Sequence, residues 1–142
     1  MVRTSPQFFT AVAGWAVGAV PKAEVARYWS LLDVSIIHLQ RTELFTTVIP
    51  SKLFECMGMG IPVLHGVAGE SADIVRREDV GVVFEPEDAE ALARLLLDLA
   101  ADPARLSSWR ANGLVAAHRY DRDALAARLH DILRATANAA RA

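Results

Sequence analysis

The chain has 142 residues, 53% of them hydrophobic, and a mean hydropathy of +0.23. That length and apolar content suit one folded domain with a sizeable core and exclude a disordered segment. Fifteen basic residues against 17 acidic give a formal net charge of −2, so no strong field draws the chain to nucleic acid or an anionic membrane.

The apolar run over residues 8–20 falls short of a bilayer span, which needs about 20 apolar residues; Thr10, Gly14 and Gly18 interrupt it and Pro21 ends it. It predicts a strand over residues 11–17 and a turn. Pro21 then fits the first turn of a helix with Val25, Tyr28, Trp29 and Leu32 on one face. A second strand is expected over residues 33–39. Pro50 opens a second helix that runs to about Met57 and ends near Gly58 or Gly60, and Pro62 starts a third strand over residues 62–67. A short helix over residues 70–77 leads to a fourth strand over residues 80–84. The second and third strands are apolar enough to be covered on both faces.

After Phe84 the strands cease. Leu92, Leu95, Leu96 and Leu99 mark one helix, Asp102-Pro103 starts another, and Leu125, Leu129, Ile132 and Leu133 stripe the last, with the end from about Thr136 expected to fray. Trp15, Trp29 and Trp109 are expected in the core. So is Cys56, the single cysteine, which excludes an internal disulfide and suits a reducing cytoplasm. The alternation of strands and helices predicts an α/β fold: a doubly wound parallel sheet with a C-terminal helical tail, with no repeat or linker to divide it.

In such a sheet ligands bind outside the carboxyl ends of the strands, which directs attention to residues 18–21, 40–50 and 66–69. The second segment delivers the chain to Pro50-Ser51-Lys52 at a helix start. Proline has no amide hydrogen to leave unpaired, and the amides of Ser51 and Lys52 have no carbonyl partner within the helix. With the positive end of the helix dipole, the Ser51 hydroxyl and the Lys52 ammonium, they make a phosphate site. Glu55 lies one turn further on the same face, where its carboxylate could accept both hydroxyls of a ribose. The competing reading is an ordinary solvated helix start. His65 and His38, near strand ends, read as structural histidines that could instead approach a ligand, and His118 and His130 as solvated. The 66–69 turn either admits a ligand close to the backbone or is only a turn.

The stretch Pro50-Ser51-Lys52-Leu53-Phe54-Glu55-Cys56-Met57-Gly58-Met59-Gly60-Ile61-Pro62-Val63-Leu64 resembles the segment PSKLFEYMAAGKPVL of family 4 glycosyltransferases of GT-B fold. Upstream, Gly18-Ala19-Val20-Pro21, Tyr28 and Leu32-Asp33-Val34 resemble the family's G-x-V-P, aromatic and A-D-V stations. Downstream, residues 81–88 and Leu92 resemble its G-x-V-x-x-P-x-D and Leu pattern. The ordered series, from about Trp15 to the end, is more specific than any one station.

The resemblance implies a Rossmann-like, nucleotide-sugar-binding C-terminal domain of a cytoplasmic transferase in polysaccharide biosynthesis. It would move a sugar from a nucleoside diphosphate, UDP before GDP, to a glycan or lipid-linked acceptor with retention of configuration. By the same resemblance Glu55 holds the donor ribose, the helix from Ser51 faces the pyrophosphate, Ala19 and Val20 border the base, and no metal or other cofactor is needed. Two departures are expected to matter. Where family members often carry a first glutamate facing the donor sugar, this chain has Thr47, which could hydrogen-bond a sugar or phosphate but supplies no carboxylate. The acceptor-binding domain and the first βα units, with their basic pair for the diphosphate, are missing. The chain is therefore expected to self-associate or to be only marginally stable. Peripheral membrane association belongs to the full enzyme.

The alternative is a truncated, catalytically inactive nucleotide-binding module. A dinucleotide oxidoreductase is disfavoured because Gly58-Met59-Gly60 runs from helix into strand, the reverse of its fingerprint. A phosphoacceptor regulator is disfavoured because Asp33 begins its strand.

Overall fold

A computed structural model describes residues 19–139. The chain divides into two compact bodies, Met1–Leu31 and Leu32–Ala142. The strand expected over residues 11–17 lies outside the described residues, as do Trp15 and Gly18.

In the first body a 3-10 turn, Lys22–Glu24, runs into the short helix α1 (Val25–Trp29). The Ser30 amide donates to the Ala26 carbonyl and its hydroxyl to that of Arg27, closing the helix. Leu32, expected on this helix face, therefore lies beyond it. Trp29 is half-buried rather than a full core residue.

The second body carries β1 (Ser35–His38), α2 (Glu43–Thr46), α3 (Ser51–Gly58), β2 (Val63–Gly66), α4 (Glu70–Glu78), β3 (Gly81–Val83), α5 (Ala89–Ala101), α6 (Pro103–Ala117) and α7 (Arg122–Ala139). The strands are parallel in the order β1-β2-β3, with Ile36 opposite Leu64 and Leu64 opposite Val82. Each strand is shorter than the apolar run that predicts it. The exposed Asp33 stands outside β1, although the Leu39 amide still reaches the Gly66 carbonyl.

Side chains alternate across this sheet and both faces are used. Leu64, Val82 and Phe84 point to one face, where Leu92, Leu95, Leu96 and Leu99 of α5 and Trp109 of α6 close the main cluster. Ile37, Val63 and His65 point to the other, met by α4, whose Ser71 bonds His65. Cys56 is buried among these elements, as expected of a core residue; burial pushes its thiol up, against a bond with Ser35.

α3 ends as its glycines predict. Gly60 has φ +62, its amide donates to the Met57 carbonyl, and the Ile61 amide donates to that of Cys56; this paired motif requires a left-handed residue. α4 ends instead on left-handed Asp79, whose carboxylate accepts from Trp109 Nε1 at 3.0 Å and from Asn112. Beside it, Glu78 is nearly buried among Arg77, Arg119 and Tyr120. The last helix corrects one expectation. α7 continues through Thr136 to Ala139, with the Thr136 hydroxyl bonding back to the Ile132 carbonyl, and its apolar stripe is exposed.

Candidate functional site

Pro50 is the N-cap of α3, in extended conformation with φ −63 and ψ 125, so the helix starts one residue later than the proline suggests. No side chain caps it. The Leu53 amide donates to the Pro50 carbonyl, while the amides of Ser51 and Lys52 have no backbone partner among the described residues. Leu53, Cys56 and Met57 anchor the helix in the core and leave Ser51, Lys52 and Glu55 exposed on its outer side. Lys52 and Glu55 have no ion-pair partner among the described residues. The result is an open helix end at the carboxyl edge of the sheet: unpaired amides and an ammonium for an anion, and a free carboxylate one turn along.

The segment before it is not a plain loop. Thr42 accepts a hydrogen bond from the Phe45 amide and starts α2, a four-residue helix that sequence periodicity does not reveal. Thr47 follows as its C-cap, exposed, its hydroxyl donating to the Leu44 carbonyl at 2.8 Å. The oxygen keeps lone pairs to accept with, but its proton is engaged. Gly69, at φ +86, lies against α2: a Cβ there would overlap the Thr46 carbonyl. Two of the three segments expected to carry chemistry, 40–50 and 66–69, thus meet. Ala19, exposed, and Val20, half-buried, belong to the first body.

His65 is fully buried, as the structural reading of it requires, and reaches no ligand surface in this fold. Its Nε2 lies 2.9 Å from the Ser71 hydroxyl and its Nδ1 has no partner among the described residues. Burial, then the Arg76 charge, lowers its pKa to about 4, so the ring is neutral. His38 is exposed at the end of β1; its Nε2 accepts from the Glu87 amide at 2.9 Å. It stacks on Phe84 with ring centroids 6.3 Å apart, across Gly66, where any Cβ would strike both rings. A shallow recess of about 190 Å³ lies there, lined by His38, Phe84, Glu87, Asp88, Ala89 and Leu92. Arg41 pairs with Glu85 beside it. His118 and His130 are exposed, as expected. Among the described residues no group of three or more His, Cys, Asp or Glu is arranged to hold a metal, and no helix is long and apolar enough to cross a membrane.

A parallel sheet covered on both faces, with an uncapped polar helix start at its carboxyl edge, defines the Rossmann-like class of α/β domains. The family model for glycosyl transferases group 1 matches residues 12–102, and the chain belongs to that family. A probable sucrose-phosphate synthase of Oryza sativa subsp. japonica is 35% identical over 68 residues, covering 48% of this chain and 7% of its own. An exopolysaccharide phosphotransferase of Streptomyces coelicolor is 29% identical over 90 residues, 63% of this chain and 9% of its own. Among solved structures, the sucrose-phosphate synthase of Thermosynechococcus elongatus shares the fold with a TM-score of 0.66 at 24% identity, over 87% of this chain and 30% of that one. The chain thus spans less than a third of the length of each of these relatives.

Proposed function

We propose that this chain supplies the donor site of a retaining glycosyltransferase of GT-B fold, moving a sugar from a nucleoside diphosphate, UDP for preference, to a glycan or lipid-linked acceptor held by another domain. The observation that carries the reading is the start of α3, where unpaired Ser51 and Lys52 amides, the Lys52 ammonium and the Glu55 carboxylate stand exposed on a helix anchored in the core. As the bond to the sugar breaks, negative charge grows on the leaving diphosphate. Preorganised amides and a lysine stabilise that charge without a metal ion. Glu55 accepts from the ribose hydroxyls and Thr47 offers an oxygen to the sugar. Membership of the family supports the transfer reaction, and the names of its sucrose-phosphate synthase relatives support a sugar as the group moved.

Calorimetric titration tests the assignment. Glu55→Ala is expected to weaken UDP binding about tenfold while leaving 2′-deoxy-UDP much less affected, because the lost contact is to ribose hydroxyls. Equal losses for both ligands would refute it. Binding without turnover is the second reading, favoured by the engaged hydroxyl of Thr47 where the family often carries a carboxylate. An assay with UDP- and GDP-sugars separates the two.

A further inference from the structure

His65 and Ser71 are both fully buried, one within β2 and the other in the first turn of α4. Their 2.9 Å bond is the one polar restraint on the imidazole, since Nδ1 is unpartnered among the described residues. α4 has no side-chain N-cap; Gly69 precedes it at φ +86. The bond that usually pins a helix start from the capping residue is replaced here by one from the helix's second residue back into the sheet. The turn it anchors, residues 66–69, is itself seated on α2, where Gly69 meets the Thr46 carbonyl backbone to backbone. Thr47 comes next in the chain, and three residues later Pro50 caps α3.

We propose that His65, acting through Ser71, is a positioning residue for the donor sugar: the bond fixes the 66–69 turn, the turn seats α2, and α2 sets Thr47 against the start of α3. This deepens the donor-site reading above and rests on it. Neither buried side chain touches ligand. α3 has its own anchors in Leu53, Cys56 and Met57, so loosening the turn spares the diphosphate site and disturbs the sugar side.

The test uses Ser71→Ala in the full chain, with Ser71→Thr as the variant that keeps the hydroxyl. Titrations with UDP and with UDP-glucose are run beside hydrogen exchange of the amides of residues 44–48. Ser71→Ala is expected to weaken UDP-glucose about tenfold, leave UDP within about twofold, and speed exchange at residues 44–48 about tenfold, with Ser71→Thr restoring all three. Unchanged exchange at residues 44–48 would overturn the coupling, and equal losses of UDP and UDP-glucose would overturn the sugar-side role. Failure of the unmodified chain to bind UDP would instead remove the donor-site reading, and the positioning role with it. Should Ser71→Ala not fold, His65→Asn breaks the same bond from the other side and is judged on the same measurements.

Discussion

Glu78 brings a charge almost out of solvent, with its side chain 6% exposed. Burial pushes its carboxyl pKa up, but hydrogen bonds from Arg119, Tyr120 and Arg77 outweigh it and the net shift is downward. Because these bonds join α4 to the residues after α6, Glu78→Gln is expected to destabilise the protein by about 1 kcal/mol, read from urea unfolding. His65 adds a pH dependence whose sign follows from its depressed pKa. Between pH 6.5 and about 4 the unfolded chain binds a proton that the folded chain refuses, so stability is fully present above pH 6.5 and falls as pH drops through that window. The full shift corresponds to about 3 kcal/mol. Unfolding free energies measured from pH 7 to 4 should show this slope, and His65→Gln should flatten it; an unchanged slope in the variant would place the titrating group elsewhere.

Helix ends show what pattern reading captures and what it misses. Gly60→Ala should cost about 1 to 2 kcal/mol in thermal or urea unfolding, because an alanine at φ +62 is strained and its Cβ would press on Arg110 and Leu114. That helix end was legible, since Pro50, Gly58 and Gly60 bracket buried Leu53, Cys56 and Met57 at helical spacing. The three described strands were legible for a similar reason, as apolar runs between turn residues. α2 was not, because four residues give no apolar period and its start depends on one threonine hydroxyl. The open start of α3 with Ser51, Lys52 and Glu55 could be read from residue types alone. The seating of Gly69 on Thr46 could not: both the turn and α2 are brought there by the parallel pairing of β1 with β2. His65 was legible as a structural histidine but its partner was not, because Ser71, six positions on, faces it only after a turn into a helix.

At the scale of the whole chain, α7 exposes Leu125, Leu129, Ile132 and Leu133 on one face, the last three each more than half exposed. Such a stripe favours association with a second copy, and sedimentation is expected to give a mass above the 15.4 kDa of one chain, lowered toward it by Leu129→Lys. A single species at 15.4 kDa for the unmodified chain would refute this. The strand order β1-β2-β3 has a consequence for synthesis on the ribosome. Among the described residues each strand pairs with the next to be made, so β1, β2 and β3 have left the exit tunnel once Val83 has. Their buried cluster, however, closes only with Leu99 and Trp109. These three nascent strands must therefore wait, one face uncovered, until two helices of later sequence emerge to cover it.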